Sequence, residues 1–110
     1  MVRGMADILL SGADSGSPCS VRRGDVIVVS LDESPTSGYR WDLEHLPEVL
    51  APVGSEFIEA PGGGLGGGGT RVLRFEARSD GGGVLALRRW RSWEGEGSVA
   101  ERFTTTVTVV

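Results

Sequence analysis

The chain has 110 residues and a mass of 11.6 kDa, enough for one domain. Its net charge is −4, so no surplus of positive charge favours a nucleic-acid partner. One cysteine, Cys19, and one histidine, His45, exclude an internal disulfide and a multi-cysteine metal site, and we expect no metal and no cofactor.

Strand patterns run along the chain, and no sustained helical period competes with them. In chain order the predicted strands cover residues 6–10, 18–22, 25–31, 39–43, 55–59, 70–77, 84–89 and 103–109. Residues 42–50 allow one helical turn at most, because Pro47 interrupts them. Seven or eight short strands between Gly, Pro, Ser and Asp residues predict an all-β fold. Because the strands are short and unequal, a β-sandwich is favoured over a barrel.

The sequence also carries expectations about the chain's surroundings. No stretch approaches the ~18 apolar residues of a membrane span, so we expect no membrane association. Residues 1–10 are too short for a signal-peptide core. This predicts a cytoplasmic protein, or a periplasmic or secreted one if a precursor segment was removed. Lysine, asparagine and glutamine are absent, which indicates a GC-rich, bacterial source.

We expect a single domain over residues 1–110, with residues 1–11 as a loosely held first strand. The protein is expected to be a monomer when free. Cys19 could cross-link two chains in oxidising conditions, but nothing in the sequence requires it.

Three connections between the predicted strands are unusual. The first, which we call the first loop, covers residues 34–38 and has the sequence Ser-Pro-Thr-Ser-Gly. Pro35 fixes φ and Gly38 permits a positive φ, while the hydroxyl of Ser34 or Thr36 can bond back to the local backbone. The segment is either a well-made turn or a preorganised convex loop that offers its backbone outward. In the second interpretation the tyrosine and tryptophan that follow anchor the loop, with the tryptophan in the core.

The second connection, the glycine-rich loop, covers residues 61–69. A G-x-G-x-x-G pattern can be placed on Gly62, Gly64 and Gly67, but a strand rather than a helix follows, and no G-K-[ST] sequence is present. A dinucleotide site and a P-loop are therefore excluded. The loop is either a flexible linker or a segment whose bare backbone approaches another surface closely.

The third connection, the third loop, covers residues 91–99 and follows an arginine- and tryptophan-rich strand end. Alternation predicts that Trp90 and Trp93 cannot both lie in the core. Tryptophan and arginine are the residues most enriched at interface hot spots, and an exposed tryptophan beside Arg91 can be held by a cation–π contact. The alternative is an amphipathic strand end with one tryptophan buried and the arginines solvated.

Together, the three loops resemble those of the chagasin family of cysteine-protease inhibitors. That family carries an Asn-Pro-Thr-Thr-Gly-aromatic loop, a glycine-rich loop ending in Gly-Gly-Thr, and an Arg-Pro-Trp loop. This sequence has Ser-Pro-Thr-Ser-Gly-Tyr at residues 34–39, Gly-Gly-Thr at 68–70 and Arg-Ser-Trp at 91–93. The resemblance extends over residues 12–110. Two departures, Ser34 for asparagine and Ser92 for proline, predict a less preorganised and weaker binder.

The resemblance implies an immunoglobulin-like β-sandwich with the three loops side by side at one end. It implies a protein that is not an enzyme, has no catalytic residues, and inhibits papain-like cysteine proteases reversibly, competitively and without a covalent bond. The first loop would cover the catalytic Cys–His pair, and the other two loops would lie on either side of the cleft. The implied protease-binding residues are Ser34, Pro35, Thr36, Ser37, Gly38, Tyr39, Gly66, Gly67, Gly68, Gly69, Arg91 and Trp93.

The sequence offers two other functions for comparison. In a β-sandwich adhesion or carbohydrate-binding module, Trp90 or Trp93 would stack on a sugar. The discriminating feature is whether Trp93 lies near the first loop or on a sheet face. An enzyme would need His45 paired with Cys19 or a serine. We reject it, because His45 lies in an expected surface turn.

Overall fold

The computed structural model describes residues 6–61 and 68–110. Within these residues the chain forms two four-stranded sheets that enclose a common core. The strands are β1 (Asp7–Ser11), β2 (Pro18–Val21), β3 (Val26–Glu33), β4 (Arg40–His45), β5 (Leu50–Glu59), β6 (Gly69–Ala77), β7 (Gly81–Trp90) and β8 (Glu101–Val109). One sheet has the order β1-β3-β6-β5 and the other β2-β8-β7-β4. The predicted all-β sandwich is confirmed, and each predicted strand has a counterpart.

The core forms from the alternating inward positions of both sheets. Its most deeply buried side chains are Ile27, Val29, Phe75, Leu85, Leu87, Phe103 and Val107. Burying one such side chain contributes about 1.5–3 kcal/mol, so these positions dominate the stability. Trp41 also belongs to the core, with 6% of its surface exposed, as the sequence predicts. No helix of the described residues is long and apolar enough to span a membrane.

The first two strands are parallel additions to the sheet edges. β1 pairs with β3 over its whole length, and β2 pairs with β8. The buried carboxylate of Asp25 braces this region, because it accepts the backbone N–H groups of Ala6 at 3.0 Å and Arg22 at 2.9 Å. It thus ties the approach to β1 to the turn between β2 and β3.

Asp25 is expected to make the stability sensitive to acid. Its hydrogen bonds from the N–H groups of Arg22 and Ala6 lower its pKa, against the opposing effect of burial. A lowered pKa in the folded state means that the stabilisation is present above the unfolded-state pKa and is lost as pH falls through the folded-state value. Below about pH 4, the thermal midpoint of the wild type should fall more steeply than that of Asp25→Asn. Circular dichroism melts over a pH series check this, and parallel curves would contradict it.

The strand register gathers the three loops at one end of the sandwich. Gly69, which opens β6, pairs with Glu33 at the end of β3 and with Glu59 at the end of β5. In the other sheet, Arg40 at the start of β4 pairs with Trp90 at the end of β7. The first loop crosses from β3 to β4, so it joins the two sheets at the end where the other loops begin.

Candidate functional site

The first loop is a single 3-10 turn over Pro35–Ser37 that Gly38 closes. Gly38 has a φ of 81°, a conformation that glycine adopts without steric cost. The Ser37 N–H donates to the Ser34 carbonyl, and the Gly38 N–H donates to the Pro35 carbonyl, each at 3.0 Å. Pro35 and Gly38 therefore have the backbone roles that the sequence predicts.

The hydroxyl that stiffens this loop belongs to Ser37, whereas the sequence pointed to Ser34 or Thr36. Ser34 makes no side-chain capping bond. Its backbone carbonyl accepts the Ser37 N–H instead. Ser37 Oγ donates to the Ser34 carbonyl at 2.6 Å and accepts the Tyr39 N–H at 3.2 Å. The exposed Thr36 side chain is left at the tip of the loop.

The third loop is held by its own hydrogen bonds. It contains two 3-10 turns, Ser92–Glu94 and Glu96–Ser98. The Ser98 hydroxyl accepts the Arg91 N–H at 3.1 Å, and its oxygen lies 2.7 Å from the Gly95 carbonyl. Arg91 also pairs with Glu94 at 3.2 Å. These contacts close the loop with serine, rather than proline, at position 92.

Arg91 and Trp93 join the third loop to the first. Arg91 Nε and Nη2 donate to the Ser37 carbonyl at 3.2 and 3.0 Å. The Trp93 side chain is 70% exposed, and its ring edge faces Gly38 so closely that a Cβ built there would lie 2.8 Å from Trp93 Cη2. The two loops therefore act as one surface, with an exposed indole beside a convex turn.

The cation–π contact predicted between Arg91 and a tryptophan is wrong. Because the Arg91 guanidinium turns toward the first loop, it lies over the Tyr39 ring, 4.4 Å from its centroid. The half-buried Trp90 is instead covered by Arg88 at 3.5 Å. With Trp93 exposed and Trp90 outside the core, the prediction that both tryptophans cannot be core residues is confirmed.

An ion-pair network on the outer face of the second sheet supports the far side of the third loop. Glu96 contacts Arg88, and Arg102 binds Glu44 at 3.0 Å. The hydrogen bond from Arg102 lowers the pKa of Glu44, with the charges of Arg102 and Arg88 adding to the effect. Each exposed pair contributes little by itself, but together they link the third loop to β4, β7 and β8.

The described end of the glycine-rich loop lies beside the first loop. A Cβ built on Gly68 would lie 3.6 Å from the Glu33 carbonyl, and one on Gly69 would overlap the Ile58 carbonyl. The predicted contact residues Gly66 and Gly67 lie outside the described residues. An open cleft of about 500 Å³ separates the two loops, lined by Asp32, Glu33, Ser34, Ala60, Gly68, Gly69, Thr70, Arg89 and Glu101.

A buried ion pair that was not predicted from the sequence lies directly beneath the first loop. Glu33 is 3% exposed and pairs with Arg71 at 2.9 Å. The alternation of inward and outward positions along β3 and β6 could have revealed this pair. After Ile27, Val29 and Leu31, the next inward position of β3 is residue 33, and the same count on β6 places residue 71 inward. In each strand the inward apolar residues stop one inward position short of the charged residue, so a pattern of apolar residues alone does not include Glu33 or Arg71.

Comparisons with known proteins agree with this geometry. The sequence model of the chagasin family of peptidase inhibitors (I42) matches residues 20–109. The chain belongs to the chagasin family. Chagasin from Trypanosoma cruzi is 28% identical over 97 aligned positions, and the match covers 84% of this chain and 88% of that protein. The family is one of peptidase inhibitors, so its members are not enzymes.

Solved structures show the same fold. The cysteine protease inhibitor EhICP2 from Entamoeba histolytica superposes with a TM-score of 0.83 at 18% identity, over 96% of each chain. Amebosin gives 0.78 at 24% identity, over 94% of this chain and 98% of its own. PbICP-C, solved in complex with falcipain-2, gives 0.67 at 12% identity, over 100% of this chain and 94% of its own. The predicted immunoglobulin-like β-sandwich is confirmed.

Three observations bear on the alternative functions. Trp93 lies against Gly38 of the first loop rather than on a sheet face, the arrangement expected of a chagasin-family inhibitor. Cys19 is buried on β2, where burial, together with the negative charge of Asp14, raises the pKa of its thiol. Such a thiol is a poor nucleophile. Within residues 6–61 and 68–110, no cluster of three or more potential metal ligands is present.

Proposed function

We propose that this chain inhibits papain-like cysteine proteases reversibly and without a covalent bond, by filling their active-site cleft with its three loops. The observation that carries the proposal is the coupling of the first and third loops through Arg91, Ser37, Gly38 and Trp93. Its family is a family of peptidase inhibitors. EhICP2, a cysteine protease inhibitor, and PbICP-C, which forms a complex with falcipain-2, share its fold.

The first loop has the shape of a plug. Its tip residues Thr36 and Ser37 are exposed, while the backbone behind them is fixed by hydrogen bonds and by the φ of Gly38. The catalytic residues of a protease attack a peptide bond that lies extended in the cleft. A closed 3-10 turn does not present a peptide bond in that geometry. The loop can therefore occupy the cleft without being cut, and little conformational entropy is lost on binding.

The exposure of the other predicted contact residues indicates which of them can touch the protease. Trp93 offers a large exposed ring, and we propose it as the anchor of the third loop. Tyr39 is half-buried beneath Arg91, so it supports the first loop rather than forming a broad contact. We propose Gly66–Gly69 as further contact residues, because a segment without side chains can approach a surface closely.

The source and the compartment of the chain stay predictions. The absence of lysine, asparagine and glutamine suggests a GC-rich bacterial genome, whereas chagasin and EhICP2 come from the protozoa Trypanosoma cruzi and Entamoeba histolytica. We propose a cytoplasmic location, or an exported one if a precursor segment is removed. Cell fractionation with an antibody against the chain tests this.

Titration of papain with the purified protein tests the function. We expect KM to rise while kcat stays unchanged, and activity to return on dilution. Trp93→Ala should raise Ki about 30-fold, the effect of removing a hot-spot side chain worth ~2 kcal/mol.

Leu9→Ala is the matched control, because Leu9 is also a largely exposed apolar residue, 73% exposed, but lies on β1. Its Ki should equal that of the wild type. No inhibition of papain or of a cathepsin L-like enzyme at micromolar protein would refute the proposed function.

A further inference from the structure

We propose that Glu33 is a positioning residue, which together with Arg71 holds the first loop, and the strands that flank the glycine-rich loop, in the geometry that the protease recognises. This inference rests on the proposed function. Neither residue lies in the three loops, and both are set back between the sheets: the Glu33 side chain has no exposed surface and that of Arg71 is 17% exposed. They act on the loops through the strands that carry them.

Glu33 fixes the stem of the first loop. The loop leaves β3 at Glu33 and returns in β4, whose second residue is Trp41. These two strands belong to different sheets, so no sheet ladder joins them. Glu33 Oε2 instead accepts the Trp41 N–H at 2.8 Å, and the Trp41 indole N–H donates to the Asp32 carbonyl at 2.9 Å. The width of the stem is thus set by two side-chain bonds, one to the Glu33 carboxylate and one from the Trp41 indole.

Arg71 extends this bond to the stem of the glycine-rich loop. Its Nε and Nη2 donate to Glu33 Oε1 at 3.1 and 2.9 Å. Its Nη1 lies 3.3 Å from Ser55 Oγ, and the guanidinium stands 5.8 Å from the centroid of the Phe57 ring. Ser55 and Phe57 lie on β5 and Arg71 on β6, the two strands that flank the glycine-rich loop. The ion pair therefore sits where the stems of two loops meet.

Stability alone does not account for a charged pair at this position. Ile27, Val29 and Leu31 precede Glu33 on the same inward face of β3 and are all buried apolar residues. Another apolar residue would extend this core, whereas a buried ion pair must first offset the loss of its hydration. An apolar side chain could not accept the Trp41 N–H or bind Arg71. What the carboxylate adds, beside the bond from the Trp41 indole to the Asp32 carbonyl, is a backbone attachment between two strands that no sheet ladder joins.

The test compares Glu33→Gln with Asp25→Asn. Both positions are buried carboxylates that accept backbone N–H groups, at opposite ends of β3. Glutamine can still accept the Trp41 N–H but loses its charge toward Arg71. We expect Glu33→Gln to raise Ki for papain about tenfold, while Asp25→Asn, even if it melts earlier, stays within about twofold of the wild type.

A second readout is independent of the protease. Backbone ¹⁵N relaxation of the free proteins should show lower order parameters at Thr36, Ser37 and Gly38 in Glu33→Gln and wild-type values in Asp25→Asn. If Glu33→Gln does not fold, Arg71→Lys replaces it, because lysine keeps the charge but loses the planar pair of donors. Its expected effect is a smaller rise in Ki with the same loss of order.

The outcomes separate the two proposals. A wild-type protein that does not inhibit papain refutes the proposed function. A wild type that inhibits, with an unchanged Ki and unchanged loop order parameters in Glu33→Gln, overturns the positioning role alone. Equal rises in Ki for Glu33→Gln and Asp25→Asn also overturn it, because the effect would then follow general stability.

Discussion

Replacement of Thr36 by arginine is expected to abolish inhibition of papain, with a rise in Ki of at least about a thousandfold, or ~4 kcal/mol. Thr36 is the exposed residue at the tip of the first loop. A long charged side chain there would enter the protease cleft ahead of the backbone. The loop cannot yield, because its backbone is closed on itself and Arg91 holds the Ser37 carbonyl from behind.

The matched control is Thr108→Arg. Thr108 is an exposed threonine on β8, so the same substitution changes the net charge equally without touching a loop. Inhibition by this variant should equal that of the wild type, and both variants should melt near the wild-type temperature. A Thr36→Arg protein that still inhibits papain with an unchanged Ki would show that the first loop does not enter the cleft.

The strands were predictable because their signal is local. β3 is rich in β-branched residues and β6 alternates between apolar and polar residues, and each strand carries its signal alone. The start of β5 was not predictable in this way. The strand begins at Leu50, but Pro52 and Gly54 interrupt the pattern. β5 tolerates both residues because it is an edge strand with a register shift between them.

The site was predictable in its parts but not in its assembly. Pro35 and Gly38 predict a tight turn, because proline fixes φ and glycine permits a positive φ, each at its own position. The bond from Arg91 to the Ser37 carbonyl spans 54 residues and depends on how β4 pairs with β7. Whether Arg91 lies over Tyr39 or beside a tryptophan follows from that pairing. The loop-to-loop contacts, which decide the shape of the inhibitory surface, therefore required the structure.

Substitution of Gly38 by alanine is expected to raise Ki about a hundredfold, or ~2.7 kcal/mol. Two separate costs meet at this residue. A φ of 81° disfavours any residue with a side chain by about 1–2 kcal/mol. The new Cβ would also stand 2.8 Å from Trp93 Cη2 and 3.5 Å from Arg91 Nε. The Trp93 ring must therefore swing away from the first loop, which breaks the contact between the two loops.

Comparison with Gly16→Ala separates the steric cost of the Trp93 contact from the cost of backbone strain. Gly16 has a φ of 88°, close to that of Gly38, but a Cβ there would meet nothing within 4 Å. Both variants should lose similar stability from backbone strain, and Gly38→Ala alone should lose affinity for papain. Thermal melts and Ki values measured together decide the matter. If Ki rises equally in the two variants, affinity follows backbone strain and the contact between Gly38 and Trp93 does not shape the binding surface. If only Gly38→Ala loses affinity at equal stability, the protease recognises the two loops as one surface.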